Sequence, residues 1–322
     1  MQTPTIEWRI PGRLKRATLA FASVAVLLVV TALPASAHEA EADEVSGGIV
    51  VFVAGESPAK TVPQSITDAA AIAMDPQGSS GDYWITTDTG QVTALGEATE
   101  LGSASKISAS IVGMAATATG KGYWLVGADG EVYTFGDAAG FGSMGDVALN
   151  KPIVGMAATS SGKGYWLVAT DGGIFAFGDA GFFGSTGAMT LNSPIVGGAS
   201  SESGNGYWLV AADGGIFAFG DAAFLGSMGA TPLNRPVVGM SATKTGSGYW
   251  LVASDGGVFA FGDAKFVGSG LEFVKKGKVV DLAPLQGSDG YILAVRPSKA
   301  DAAKIKSGSV DTKKTVTKKT DT

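Results

Sequence analysis

The sequence contains no cysteine and a single histidine, His38. A chain without cysteine forms no disulfide, has no thiolate nucleophile and offers no cysteine ligand to a metal. His38 lies where we expect the mature chain to begin and to be disordered, so we expect the chain to assemble neither a Ser-His-Asp triad nor a histidine metal site. These absences favour a binding or structural role over catalysis. They also predict that the protein uses no metal and no cofactor.

Long apolar runs are scarce as well. The one that approaches the length of a membrane span covers residues 17–33, after four basic residues and before the small-residue motif A-S-A at 35–37. This pattern predicts an export signal over residues 1–37, with the mature chain starting near His38. An uncleaved membrane anchor is the alternative, because about 18 to 20 apolar residues span a bilayer. We expect a secreted protein without a stable membrane span after cleavage.

Positive charge is scarce outside the two ends of the chain. The net charge is −6, of which residues 1–37 contribute +3 and residues 298–322 contribute +4, leaving −13 for the segment between them. A body this acidic is a poor nucleic-acid binder, so we expect no nucleic-acid partner. The tail over 298–322 is rich in Lys and Thr and is expected to be disordered. Its lysines could attract anionic wall polymers, or the tail could have no partner.

Signals for attachment to the cell envelope are absent too. The sequence has no L-P-x-T-G-type sorting motif and no cysteine of the kind that carries a lipid anchor. Covalent attachment therefore has no support, and we expect the protein to be extracellular or loosely associated with the envelope.

What the sequence has in abundance is a repeat. The pair Tyr-Trp recurs at steps of 40, 42, 42 and 42 residues, and a sixth echo, Tyr-Ile, follows 42 residues later. These dipeptides are Tyr83-Trp84, Tyr123-Trp124, Tyr165-Trp166, Tyr207-Trp208, Tyr249-Trp250 and Tyr291-Ile292. A period of this length is typical of a repeat architecture. Within one period, four β-rich runs cover residues 153–158, 165–169, 174–177 and 181–184, separated by Gly, Asp and Ser.

An Asp-Gly pair joins the second and third runs in four of the units, at 129–130, 171–172, 213–214 and 255–256. Asp-Gly between β-rich runs is a strong hairpin signal, since glycine adopts positive φ without steric cost. Four antiparallel strands in about 42 residues are typical of a propeller blade. We therefore predict an all-β fold, a six-bladed β-propeller of four-stranded blades over residues 38–297. Along the second run, Trp166 and Val168 should pack toward one neighbouring blade and Tyr165 and Leu167 toward the other.

The two ends of the repeat region complement each other. The sixth unit supplies only two strands before Arg296, whereas residues 47–53 resemble a third strand and residues 56–61 could form a fourth. We expect these N- and C-terminal strands to close the last blade, which removes exposed sheet edges. Five complete blades should precede the closure, near 64–106, 107–150, 151–192, 193–234 and 235–275. Five or seven blades are the alternatives if either end fails to pair.

The unit at 248–264 reads G-Y-W-L-V-A-S-D-G-G-V-F-A-F-G-D-A. It resembles a repeat of secreted actinobacterial proteins that is similar to propeller domains. The resemblance covers residues 107–270 strongly and the flanks weakly. It implies an extracellular or envelope role and no particular reaction. Such repeats also occur appended to wall-directed hydrolases, but the repeat region is expected to leave no room for a catalytic domain here.

The strongest repeated polar signal is a Gly-Asp pair at the end of the third run. It supplies four equivalent carboxylates, Asp137, Asp179, Asp221 and Asp263. On one rim of a ring, these could bind calcium or sugar hydroxyls. Alternatively, each accepts hydrogen bonds within its own turn, as aspartate commonly does. No segment matches the D-x-[DN]-x-[DN]-G calcium loop.

Two further sets of residues are candidates for function. Carboxylates that interrupt the repeat could form a catalytic pair about 5 to 10 Å apart, or could simply be solvated at the surface. They are Glu97, Glu100, Glu131, Asp146, Glu202 and Glu272. Aromatic residues near the blade ends could stack on sugars or pack between blades. They are Phe141, Phe182, Phe183, Phe224 and Phe266.

The leading interpretation is a secreted propeller that acts as a binding or scaffold protein at the cell surface. Its partner would be a glycan, a wall polymer or another surface protein, recognised by the loops of one rim. Two alternatives stay open at this point. One is a carboxylate-based glycoside hydrolase or lyase, and the other is a surface protein that assembles with itself.

Overall fold

The computed structural model describes residues 48–52, 60–63, 66–79, 81–271, 274, 277–287 and 289–306. The predicted export signal over 1–37 lies outside these residues, as does Glu272. Within the described ranges, no helix has the length and apolar character needed to cross a membrane.

Antiparallel strands are the dominant regular structure of the described chain, and the predicted all-β fold is confirmed. Five sheets hold three strands each, in sequence order. The first sheet is β3 (Ala69–Met74), β4 (Tyr83–Thr87) and β5 (Val92–Leu95), and the second is β6 (Ile111–Ala116), β7 (Gly122–Gly127) and β8 (Val132–Gly136). The third is β9 (Ile153–Ala158), β10 (Gly164–Ala169) and β11 (Ile174–Gly178). The fourth is β12 (Ile195–Ser200), β13 (Gly206–Ala211) and β14 (Ile216–Gly220), and the fifth is β15 (Val237–Ala242), β16 (Gly248–Ala253) and β17 (Val258–Gly262).

The sixth sheet joins the two ends of the repeat region. Its strands are β18 (Gly277–Pro284), β19 (Tyr291–Pro297), β1 (Gly48–Phe52) and β2 (Lys60–Pro63), in that order across the sheet. β1 runs antiparallel to β19, with Val50 opposite Leu293. The expected pairing of N-terminal and C-terminal strands therefore occurs. It links distant parts of the chain through backbone hydrogen bonds, without a disulfide.

The predicted fourth strand of the regular repeats is not a strand in the structure. Residues 181–184 lie outside the sheet, and side chains bind their backbone instead. The Trp166 indole donates to the Gly181 carbonyl at 2.7 Å, while the Phe183 amide donates to the Tyr207 hydroxyl of the next repeat at 3.1 Å. Because these side chains satisfy the backbone groups, no ladder forms with the third strand. The prediction of four-stranded blades is thus not confirmed for the first five sheets.

The hydrophobic core lies between successive sheets. Trp166 and Val168 pack in one cluster with Tyr207 of the following sheet, with the Trp166 and Tyr207 ring centroids 5.6 Å apart. Tyr165 and Leu167 pack in another cluster, against the preceding sheet. The predicted division of this strand between two neighbours is confirmed. Each large buried side chain contributes about 2 kcal/mol, so these layers supply most of the stabilisation.

The first strands of the sheets form a closed circle. Each contacts the first strand of the next sheet, from β3 through β6, β9, β12 and β15 to β18, and β18 in turn contacts β3. Each of these strands carries a bulge near its start, as between Ile195 and Gly197. Glycine at this point permits close approach, because a methyl group added to Gly113 would lie 3.1 Å from the Gly155 Cα. The strands therefore surround a narrow central space.

The segment expected to be a disordered tail begins with a helix, α1 (Lys299–Lys306). Ser298 caps it, since its Oγ accepts a hydrogen bond from the Asp301 amide at 3.2 Å and donates to the Asp301 carboxylate at 2.7 Å. This reciprocal cap favours a helix start. The expected disorder therefore does not extend to residues 299–306, and residues 307–322 lie outside the described chain.

Candidate functional site

A cavity of about 510 Å³ lies inside the circle of first strands. Glycine, alanine, valine and methionine from equivalent strand positions provide most of its wall. Among the described residues that line it, only Asp281 and Glu202 carry charge. We refer to this space as the axial cavity.

Asp281 stands where the four regular repeats have glycine and the first repeat has Ala71. Its Oδ2 accepts a hydrogen bond from the Ile72 amide of β3 at 3.1 Å, and its Oδ1 accepts one from the Leu282 amide at 2.8 Å. On the other side, a methyl group added to Gly239 of β15 would lie 3.1 Å from Oδ1. The carboxylate therefore touches both neighbouring first strands and links the sixth sheet to the first.

The environment of Asp281 disfavours its charge. Enclosure by protein raises the pKa of this carboxyl to about 6, although the two backbone donors oppose the shift. Among the described residues, no cationic side chain pairs with it. Within the described part of the chain, the Asp281 carboxylate therefore has backbone donors but no cationic partner.

One end of the axial cavity is bordered by the loops between the first and second strands. We call this end the loop-side mouth; its loops are residues 117–121, 159–163, 201–205 and 243–247. Ser160, Ser201 and Thr243 line the cavity there, and Glu202 is exposed beside them. Successive loops touch, since a methyl group added to Gly246 would lie 3.0 Å from the Glu202 Cβ. The mouth is thus a continuous polar border.

The four aspartates predicted as binding residues hold these loops in place. Asp179 accepts hydrogen bonds from the Thr159 hydroxyl at 2.9 Å and the Ser161 hydroxyl at 2.5 Å. The same arrangement joins Asp137 to Thr117 and Thr119, Asp221 to Ser201 and Ser203, and Asp263 to Thr243 and Thr245. Each carboxylate is therefore engaged within its own repeat. Ligand binding by these residues stays a prediction.

The hydroxyl contacts also affect ionisation. The Ser161 hydroxyl is the main cause that lowers the pKa of Asp179, and the Ser203 hydroxyl does the same for Asp221. The structure does not gather the four aspartates into one cluster. In the described ranges, no group of three or more His, Cys, Asp or Glu side chains could hold a metal ion.

In the first repeat, a different carboxylate binds the turn. Glu97 stands at the position of the repeated aspartate, but the carboxylate that binds the backbone is Asp82, which accepts from the Ser79 and Glu97 amides at 2.6 and 2.7 Å. Burial raises the pKa of Asp82, and the opposing hydrogen bonds from Glu97 and Ser79 make the net direction downward. Sequence reasoning missed Asp82. Its alignment with a repeated glycine, Gly122, was the available signal.

The opposite end of the central space is different in character. A second cavity of about 450 Å³ there is lined by a valine from each of five first strands and by a few charged residues. Arg296 of β19 lies 3.3 Å from the Asp88 carboxylate, and its Nε donates to the Ala69 carbonyl at 2.9 Å. Lys278 also lines this cavity. We call this end the valine-side mouth, and its ion pair connects the sixth sheet to the first.

The predicted catalytic pair finds little support. Of the repeat-breaking carboxylates, Glu202 lines the axial cavity, whereas Glu97, Glu100, Glu131 and Asp146 do not. Asp281 is equivalent to Gly197, which lies five residues before Glu202. From Gly197 to the end of the strand at Ser200, a rise of about 3.3 Å per residue gives roughly 10 Å, and Glu202 lies in the turn beyond it. Carboxylates that hydrolyse glycosides lie about 5 to 10 Å apart.

The candidate aromatic residues divide into two groups. Phe141 and Phe183 pack between sheets, with ring centroids 5.7 and 5.8 Å from Tyr165 and Tyr207. The other three side chains are exposed, by 63% for Phe182, 62% for Phe224 and 60% for Phe266. These three occupy the same position of consecutive repeats. We call them the phenylalanine row.

No family model matches the chain, and no curated protein matches it. Among solved structures, the β-propeller domain of Cps50 (Swd1) from Myceliophteria thermophila is similar, with a TM-score of 0.46 and 11% identity. The match covers 65% of this chain and 69% of that one. The resemblance to secreted actinobacterial repeats stays a prediction from the residues themselves.

Proposed function

We propose that this protein is a secreted binding module of the cell surface, folded as a six-bladed β-propeller. The closed circle of six first strands supports this reading of the six sheets as blades. The pairing of β1 with β19 supports closure of the last blade by the two chain ends. In the five three-stranded sheets, the segment after the third strand would take the place of a fourth strand.

The phenylalanine row carries the proposal of binding. Large apolar side chains that are more than half exposed mark interaction surfaces when they recur at one place. Here the backbone on both sides of each ring is fixed. For Phe224, the Trp208 indole donates to the preceding carbonyl at 2.7 Å, and the following amide donates to the Tyr249 hydroxyl at 3.2 Å. The backbone that carries the exposed rings is therefore held in place on both sides.

The surroundings of the row favour a glycan as its partner. Phe182 lies between Gly181 and Phe183, which packs inward, and Phe266 follows Lys265, whose side chain pairs with Asp289 at 2.5 Å. Each exposed ring thus offers a single apolar face, and at Phe266 a charged pair lies beside it. A sugar ring offers one apolar C–H face and a polar edge, and such a face stacks on an aromatic ring. A polymer with repeated sugar units could occupy successive rings of the row.

Binding to isolated cell envelope tests the proposal. Replacing all three residues, F182A/F224A/F266A, should lower the affinity for envelope polysaccharide at least about tenfold, because three stacking contacts are lost. The matched control replaces three exposed residues that are not aromatic, V147A/M189A/L271A. Sedimentation with envelope, before and after removal of its polysaccharides, measures the bound fraction.

Two outcomes would overturn the glycan assignment. The triple phenylalanine variant could bind as well as the parent protein, or the parent protein could bind no envelope fraction. If the same variant instead abolished concentration-dependent oligomers of the parent protein, the row would be a self-assembly surface. Light scattering at several protein concentrations detects that case.

A further inference from the structure

The charged residues that line the axial cavity all have the same sign. Its two charged lining residues in the described chain, Asp281 and Glu202, are both acids. Lys244 lies on the neighbouring loop and is exposed, but does not line the cavity. The remainder of the wall is glycine, alanine, valine, methionine and hydroxyl side chains. The interior therefore favours cations over anions.

The regular repeats show that strand packing does not require an acid at this depth. Glycine stands at the position of Asp281 in the other first strands except β3, which has Ala71. Those neighbouring strands pack in the same circle without a carboxylate. The backbone bonds to Ile72 and Leu282 satisfy part of the hydrogen-bonding capacity of Asp281, but they supply no positive charge. A partly buried carboxylate that has no cationic partner among the described residues is unfavourable, and a cationic ligand would relieve that cost.

The geometry points to a linear organic amine as the ligand of the axial cavity. We propose that an ammonium group binds Asp281 while the methylene chain lies along the apolar wall toward the loop-side mouth. In a ligand with two or more amines, a second ammonium group would reach Glu202. An offset along the strand of more than roughly 10 Å suits an extended polyamine. A volume of about 510 Å³ is within the range of small-molecule sites.

The two mouths differ in a way that sets the direction of access. The loop-side mouth carries three exposed lysines, Lys121, Lys163 and Lys244, against Glu202 and the four aspartates bonded to its loops, so acids outnumber lysines there by five to three. The valine-side mouth carries Lys278 and Arg296 against Asp88, a net charge of +1 among the described residues that line it, which disfavours cations. An amine should therefore approach from the loop side. This inference is independent of the phenylalanine row, which does not line the cavity.

Two kinds of ligand carry an ammonium group on a methylene chain, a free polyamine and the lysine-type side chain of a peptide. Calorimetry with spermine, and separately with Nα-acetyl-lysine amide, distinguishes them. Selective tight binding of spermine indicates a free polyamine, whereas comparable binding of both probes indicates that a peptide side chain suffices. Either result supports the amine site, provided that Asp281 is required for it.

Three variants decide that requirement. D281N should weaken spermine binding at least tenfold, and E202Q should weaken spermine binding while leaving butylamine binding unchanged. D146N is the control for net charge, because Asp146 is exposed and does not line the cavity. D281G restores the glycine of the regular repeats, so it offers a folded variant if D281N does not fold.

The proposal fails on either of two results. Spermine could show no saturable binding to the parent protein at millimolar concentration. Alternatively, D281N and D281G could bind it as tightly as D146N, which would mean that the acidic surface alone attracts the amine. Loss of envelope binding in the phenylalanine variant has no bearing on these measurements, so the two proposals fail separately.

Discussion

Two kinds of interface between sheets differ in their residues. One kind lies between the four regular repeats, over residues 107–270, and the other is the junction of the sixth sheet with the first. In the regular repeats, identical residues meet at each interface, such as Trp166 with Tyr207 and Trp208 with Tyr249. At the junction, Ile292 takes the tryptophan position, and the residues that cross it are unique, namely Asp281 and Arg296. The residues that recur in each repeat pack the interfaces, whereas the residues that depart from the repeat close the ring and form the candidate site.

The largest effect expected from this comparison is the loss of a tryptophan from a regular interface. Trp208 is fully buried, lies 5.6 Å from the Tyr249 ring and donates to the Ala223 carbonyl. W208A should lower the free energy of unfolding by about 3–5 kcal/mol, through the cavity that it leaves. Guanidinium denaturation measures the change.

A second substitution at Trp208 shows whether isoleucine can replace tryptophan at a regular interface. W208I copies the residue that the junction uses, so it should cost less than W208A. A cost equal to that of W208A would show that the junction is not simply a variant of the regular interface. Its packing would then depend on residues that the repeats lack.

The regular interfaces could largely be predicted from the sequence, because the sequence patterns that specify them are local and repeated. The Asp-Gly hairpins and the alternation along Tyr165 to Val168 predicted both the turns and the faces that pack. The fourth run, over residues 181–184, was predicted as a strand but is not one. Its backbone groups bond to side chains instead, to the Trp166 indole in the same repeat and the Tyr207 hydroxyl in the next. Strand propensity does not register such contacts.

The candidate sites were less predictable, because they depend on register between distant segments. Phe182 and Phe183 differ by one position, and that step places one ring in solvent and the other between sheets. Asp281 becomes recognisable only when β18 is aligned on the bulges of the other first strands. It then stands in a row of glycines, in a cavity that no single repeat encloses.

The second effect concerns pH and separates the junction from the regular repeats. Enclosure raises the pKa of Asp281 to about 6, above its ordinary value of 3.8, so the folded protein binds this proton more tightly than the unfolded chain does. Its contribution to stability is therefore present below about pH 4 and is lost as pH rises toward 6, by on the order of 2–3 kcal/mol. Thermal or urea unfolding between pH 4 and 7 measures the slope.

D281N removes this titration and serves as the reference for the pH measurement. Subtracting its profile also removes the opposite contributions of Asp179 and Asp221, whose lowered pKa values make them lose stability as pH falls. Identical profiles for the parent protein and D281N would show that Asp281 ionises normally. The junction would then lack the charge imbalance described above.

The smallest of the three effects is expected at the valine-side mouth. R296A removes the ion pair with Asp88 and the hydrogen bonds to the Ala69 and Asp68 carbonyls. Since Arg296 and Asp88 are both partly exposed, the cost should be about 1–2 kcal/mol, most of it from the two carbonyls. D88N keeps those bonds and should cost less. If D88N cost as much as R296A, the ion pair rather than the carbonyl contacts would hold the sixth sheet to the first, and added salt would then loosen the junction.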